Sequence, residues 1–564
     1  MKKFIYTTAI LACSVLATGC DDFLTPENKS NVSDIEYFST QTGFESLAAN
    51  AYEKLRNVYA TTSYVDYFQA GTDMYCSARN KNDQPLHEYE NLTPEHSKMK
   101  DLYTYCFNGI RAAYAVKYYA AGAAVSDDLR NKRVDEGRVI AANFYYILVN
   151  TFGGVPLIKE YVENIETGYP KASAEEVYTY IIEELEAVVT ANHLESSTAT
   201  LGGGRASMEA ARGLLAKTYL AAAWDLGKNE YFAKAGQYAD AVINNRSLNT
   251  PFANLWKADG SGDDNEEFIW DVEYDYASAN NKVDGGHPWS SFYCNYVGGN
   301  EDNGKATTSS YVPTVHALEY FAKGDVRYDV TFLKELPKID KGFDSYWDFY
   351  KDNKESYVGY EILRYYPAWY ETDEDIAAWR AIDPENRAGT FILPMKENTY
   401  DPQNLNNAPM TYDQFVLQVY GGSPCRKFDD SQTALYSNAT DYRDIHIITL
   451  SEMYLVAAEA YFKAGDDKAL DRLNEVRRRA NLSPETSIDI DKILKERACE
   501  LFGQGSRWMD LRRTQKLVEY NNLYNPQLQG KAQTAIGQKL LRPIPQSAID
   551  ANDKLTSADQ NPGY

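Results

Sequence analysis

The sequence predicts a mainly α-helical protein: tetratricopeptide-like helical hairpins forming a scaffold, with a loop-rich, short-strand half packed on it. Three observations predict this. Apolar residues recur at helical spacing through about 44–248 and 445–520. Within those stretches, helices come in pairs joined by short turns, with small residues where the pairs would touch. Between them, over about 249–430, the helical period fades, while Gly, Asn, Asp and aromatic residues become frequent. The hairpins are scattered along the chain, so residues 44–564 read as a single domain with the helical solenoid embedded in it.

The chain opens on a targeting segment, residues 1–19. Lys2 and Lys3 precede an apolar run, Phe4 to Leu16, too short to span a bilayer. The run closes on ATGC, the pattern of a lipoprotein signal in which Cys20 becomes the lipidated first residue; a plain secretory signal is the alternative. Asp21 and Asp22 follow. Residues 20–43 are polar and read as a tether.

Helices then follow in order. Gly43–Tyr59 carries Leu47, Ala51 and Leu55 on one stripe. Lys98–Ala123 is long and Tyr-rich. Val134–Thr151 ends at Gly153, Gly154 and Pro156, residues that cannot continue a helix. Val177–Leu194 precedes a hairpin of Ala211–Ala223 and Tyr231–Asn244, in which Ala211, Ala216, Ala235 and Ala239 permit close approach. EEFIWDVEYDY, at 266–276, alternates as a strand does. A second hairpin opens at Ser451, turns at Gly465 and ends near Ala480. The closing segment holds Pro543, Pro545 and Pro562, which forbid a continuous helix.

Composition narrows the function. A net charge of −24 and a pI of about 4.8 argue against a nucleic-acid partner. Mean hydropathy is −0.52, and no second long apolar run follows the signal, so this is not a multi-span membrane protein. Tyrosine is abundant, at 46 residues. Its flat apolar face and polar edge suit interfaces and sugar rings. Seven cysteines at long, irregular spacing indicate neither a metal site nor a dense disulfide framework. The six histidines include no HExxH, and neither GxSxG nor a phosphate-binding loop is present. No cofactor or metal is expected.

Charges concentrate after the second hairpin. Glu496 and Glu500 stand at i, i+4, Arg497 and Glu500 at i, i+3, and Arg507 and Asp510 at i, i+3 beyond Gly503 and Gly505. Arginine holds carboxylates bidentately, so these five read as a structural ion network pinning helices together.

This block resembles the SusD/RagB family of outer-membrane nutrient-binding lipoproteins. The family pattern SEMYLxxAEAY, LNxVRxRA and ERxxELxxEGxRWxDLxR is met at Ser451–Tyr461, Leu473–Ala480 and Glu496–Arg513. FGGVPLI, GRASMEAARGLLAKTYLAAA, the Asp325/Arg327 pair and Lys427-Phe428-Asp429 also match. Gln504 stands where the family usually has Glu, and Thr449 where Arg is common. The resemblance runs from Cys20 to Tyr564. It implies a SusD-like superhelix, display on the cell exterior, and a C-terminal tail packed along the body. It further implies glycan capture without bond cleavage, and transfer of the glycan to a SusC-like TonB-dependent transporter. A lipid-anchored glycoside hydrolase, a RagB-like peptide binder and a purely structural tetratricopeptide adaptor are the other readings.

Two aromatic and polar clusters are candidate glycan contacts. One is Asp73, Tyr75, Arg79 and Asn80. The other is Trp289, Phe292, Tyr293, Asn295 and Tyr296 beside Gly298 and Gly299, expected as a solvent-facing stacking platform. The alternative for both is that the rings belong to the core or face a partner.

Overall fold

The computed structural model describes residues 34–564 except 62, 78–82, 164–165, 198–203, 275–285, 290–298, 301–302, 305–310, 338–361, 389, 393–396, 399–409, 412–424 and 431–440. It is mainly helical, as the pattern predicts. Helix α1 is Asp34–Ser39, α2 Gln41–Tyr59, α3 Tyr64–Phe68, α4 Ser97–Ala120, α5 Asp127–Phe152, α6 Ala174–Ala191, α7 Met208–Leu226 and α8 Glu230–Ile243. The second helical stretch holds α9 Leu450–Ala464, α10 Lys468–Arg479, α11 Ile490–Glu500, α12 Arg507–Arg513 and α13 Leu517–Tyr524.

Local chemistry sets the helix ends. Thr40, Ser126, Ser207 and Thr449 each accept a backbone N–H of the first turn, and Ser173 forms a reciprocal capping box with Glu176. The cap at Ser126 and the acidic pair Asp127–Asp128 start α5 seven residues earlier than apolar periodicity alone indicates. Gly465 ends α9 at φ 74°, in the left-handed region that glycine enters without strain.

The helices form a consecutive stack. α4 packs on α2 and α5, α5 on α6, α6 on α7, α7 on α8, α8 on α9 and α9 on α10. Thus the hairpin α7–α8 joins α9–α10 although more than 200 residues of chain lie between them. Small residues allow it. At Gly236 of α8, an added Cβ would fall 2.6 Å from the ring of Tyr461 on α9. α7 is buried around most of its circumference, with Ala210, Ala211, Gly213, Ala216 and Ala221–Ala223 in contact with neighbours.

Two short antiparallel ladders fix the intervening half. Strand β1 is Tyr75–Ser77, β2 Phe268–Val272, β3 Tyr311–Pro313 and β4 Ile445–Thr449. β2 pairs with β4, and the Leu450 N–H donates to the Glu267 carbonyl. The chain therefore leaves the scaffold and rejoins it at one place. β1 pairs with β3, with Ser77 opposite Tyr311, tying the N-terminal part to the inserted half. The C-terminal tail lies along the body: the Asn561 amide donates to the carbonyls of Phe152 and Arg542, and the Arg542 N–H to Thr151. Among the described residues no helix is long and apolar enough to cross a membrane. Cys76, Cys106, Cys425 and Cys499 are buried thiols.

The α8–α9 contact leaves no room for a larger side chain. Gly236→Val is expected to destabilise the protein by about 1–3 kcal/mol, as overpacking does. Denaturant unfolding checks this, and an unchanged midpoint would mean the two hairpins are not tightly packed there.

Candidate functional site

Buried charge dominates the centre. Glu500, on α11, receives Arg327 at 3.1 Å and also Arg479 of α10. Arg327 is wholly buried. It grips Asp325 bidentately at 2.9 and 2.8 Å and lies 2.7 Å from Glu496. Arg479 reaches Glu267 at 2.8 Å, beside the start of β2. Burial raises the Glu500 carboxyl, but Arg479 and Arg327 outweigh it and bring the pKa down to about 2.

A second knot adjoins it. Arg497 holds Asp510 at 2.9 and 3.0 Å; Arg513 holds the same carboxylate and also reaches Glu459 on α9. Despite burial, these two arginines keep Asp510 far below the ordinary carboxylate range. A third contact spans 434 residues. Arg507 pairs bidentately with Asp73 at 2.9 and 2.6 Å, Tyr320 donates to Asp73 at 2.6 Å, and Arg507 also bonds the Leu494 carbonyl.

All five residues of the sequence-derived network are therefore buried and joined, but by different partners. Helical spacing suggested Arg507 with Asp510. The structure gives Asp510 to Arg497 and Arg513, while the Arg507 guanidinium on the same helix is taken by Asp73. Glu267, Arg327, Arg479 and Asp73 could not be assigned to it by spacing, since they lie on distant elements. The Asp325/Arg327 pair was the one visible sign.

Lys427, also wholly buried, sits beside this network. Its ammonium donates to the Glu500 and Phe502 carbonyls at 3.1 and 3.3 Å and to Gln504 Oε1 at 2.7 Å. It lies 4.4 Å from the Trp256 ring centroid. Burial lowers its pKa to about 7, even with Glu500 nearby. Gln504 offers the amine a neutral oxygen where the resembled pattern has a carboxylate. Thr449, the other departure, caps α9.

The proposed glycan contacts need correction. Trp289 is 5% exposed, its indole N–H donates to the Tyr59 carbonyl at 2.9 Å, and its ring lies against Tyr64 and Phe428. A ring so enclosed has no face to offer a sugar, so Trp289 is a core residue. Asp73 is fully buried, its carboxylate committed to Arg507 and Tyr320. Tyr75 is fully buried and packs on Phe502. Neither is a surface contact. Arg79, Asn80, Phe292, Tyr293, Asn295 and Tyr296 lie outside the described residues. The structure does place their neighbours: Ser77 and Tyr311 are strand partners, and Trp289 packs on α3, which leads into β1.

Comparison with known proteins gives one answer throughout. The model of the SusD family matches residues 266–564, and a model described as starch-binding associating with outer membrane matches residues 22–220. A SusD-like protein of Bacteroides ovatus is 24% identical, over 90% of this chain and 81% of that one. The starch-binding protein SusD of Bacteroides thetaiotaomicron is 27% identical, over 81% of this chain and 78% of that one. Among solved structures, a laminarin-binding SusD-like protein superposes with a TM-score of 0.67 at 21% identity, covering 93% of this chain and all of the other. A surface glycan-binding protein of Bacteroides thetaiotaomicron, in complex with laminarihexaose, gives 0.66 at 18% identity, covering 93% and 99%.

Two outcomes test the buried charges. Arg507→Ala strands the Asp73 carboxylate and is expected to cost about 3–5 kcal/mol in equilibrium unfolding; a cost under about 1 kcal/mol would mean the pair is solvated. Lys427 sets a pH window. Its folded pKa, about 7, lies below its ordinary 10.5. Between those values the unfolded chain binds the extra proton, so this group makes stability rise with pH. The melting temperature of the wild type minus that of Lys427→Met should grow from pH 7 to 10, and Gln504→Glu should flatten the trend by raising the lysine's pKa. Parallel curves would contradict the assignment.

Proposed function

The chain belongs to the SusD family, and from that membership we propose that it is a cell-surface lipoprotein which captures an oligo- or polysaccharide and delivers it to a TonB-dependent outer-membrane transporter, itself breaking no bond. The observation that carries the reading is the joint match of the two family models across most of the chain, with relatives named for binding starch and laminarin. The ATGC run ending at Cys20 supports lipid anchoring at that residue, and the family description supports association with the outer membrane.

Within this reading the ligand contacts fall at positions that follow the buried Ser77 and Trp289 in the sequence. Arg79, Asn80, Tyr293, Asn295 and Tyr296 are the proposed contacts. Tyrosine rings supply flat apolar faces for the C–H faces of sugars, while the guanidinium and amide groups bond hydroxyls. Tyr75 and Trp289 take a supporting part: each is a large buried ring four residues before the nearest proposed contact.

Four measurements check this. Tyr293→Ala or Tyr296→Ala should weaken glycan binding several-fold to tenfold, about 1 kcal/mol per ring, and leave the melting temperature in place. Trp289→Ala should instead destabilise the fold by about 3–5 kcal/mol. The reverse pattern would return Trp289 to the ligand face. Incubation with polysaccharides should release no reducing ends; steady release would make the protein a hydrolase. Cys20→Ala should free the protein from membranes, and continued membrane partitioning would remove the lipoprotein reading.

A further inference from the structure

A groove at the C-terminal end of α4 carries its own set of aromatic and polar groups. It has a volume of about 690 Å³ and lies between the C-terminal end of α4 and the segment Leu157–Tyr169. That volume is within the range of about 300–1,000 Å³ common for small-molecule sites. Tyr118, 43% exposed, presents its ring there. The ring is braced edge-on by Tyr119 at 4.9 Å and by the tilted ring of Tyr161 at 5.1 Å between centroids, and Phe38 supports Tyr119 at 4.8 Å. The Tyr118 hydroxyl donates to Glu163.

The walls are held in place. The Tyr145 hydroxyl donates to the Ile158 carbonyl at 2.7 Å and accepts the Ile158 N–H at 2.8 Å. At the far end, the Asn552 side chain bonds both the N–H and the carbonyl of Tyr169. Ile158 and Tyr169 are thus held by the fold's own hydrogen bonds, which lowers the cost of ordering these two positions on binding.

Its chemistry selects a class of ligand. An exposed tyrosine face backed by other rings suits the apolar face of a pyranose. Glu160, Glu163 and Glu166 are acceptors for hydroxyls, and Lys117 and Lys159 are donors. Three carboxylates to two ammonium groups, on a chain of net charge −24, disfavour uronic or sulfated sugars.

The location separates this groove from the loop face. Lys98, at the start of α4, bonds Asp66 and Asp83, and Asp66 bonds Tyr311 of β3. Tyr118 lies twenty residues further along the helix, roughly 30 Å away at 1.5 Å per residue. We propose that this groove is a second, independent subsite for a neutral oligosaccharide, with Tyr118 as the stacking ring and Glu163 as the acceptor that orients it. The proposal rests on the glycan-binding reading above. One polysaccharide chain held at both sites would make the second contact effectively intramolecular.

The test uses the full mature chain with two neutral pairs, maltohexaose with starch and laminarihexaose with laminarin. Calorimetric titration of the binding pair should give two hexasaccharides per protein. Tyr118→Ala should reduce that to one and lower affinity for the polymer about three- to tenfold or more, with the melting temperature unchanged because the ring is exposed. Glu163→Gln should act in the same direction, more weakly. One hexasaccharide per protein, with both variants indistinguishable from wild type, would overturn the subsite and leave the glycan reading standing. Failure of the wild type to bind any neutral glycan on an array would remove the glycan reading, and the subsite with it.

Discussion

The structure depends on the carboxylate of Glu500. Burying a charge is costly unless it is paired and hydrogen-bonded, so this side chain determines which segments must meet. Arg479 comes to it from the preceding helix, and Arg327 from the inserted half. Arg479 in turn fixes Glu267, and Arg327 fixes Asp325 and Glu496. Asp73 adds the N-terminal part by way of Arg507. None of these charges can be solvated without opening the centre. The same requirement that makes each pair expensive to break makes the assembled set specify one arrangement of three distant segments.

For a binding protein this has a use. Irregular loops gain a defined starting point only if the residues beneath them are fixed. Here the two ladders and the buried rings of Tyr75 and Trp289 join the frame that the ionic centre holds. A scaffold held in this way adds no ordering cost of its own to binding, which favours affinity at a given contact area. The groove beside Tyr118 follows the same logic with different means: a long helix supplies one wall, and clamped backbone the other.

The helices could be read from the sequence because burial on one stripe leaves a periodic trace and caps leave residue-type signals at the ends. Ala211, Ala216, Ala235 and Ala239 marked the close-packed pairs, and all four are buried. The ion network was readable as a concentration of charge, but its pairing was not. Asp73 and Arg507 are 434 residues apart, and nothing in spacing connects them. Asp73, Tyr75 and Trp289 prove buried for another reason. Trp289 and Tyr75 were selected for composition, yet an aromatic residue beside glycines and asparagines has the same local sequence whether its ring faces water or closes the core. Exposure is decided by what packs against it, here Tyr64 and Phe428 from elsewhere in the chain. Tyr118 was passed over because a tyrosine in a Tyr-rich helix carries no mark of which face it occupies.

The central claim is that paired buried charges make the helical scaffold and the inserted half one cooperative unit. Native-state hydrogen exchange, followed by mass spectrometry across a denaturant series, tests it directly. The account predicts that the amides of Phe268–Val272 and of Tyr311 and Val312 open with the same free energy and denaturant dependence as those of Leu450–Ala464. Exchange of the two strand pairs through a smaller, separate opening, while Leu450–Ala464 stays protected, would contradict it.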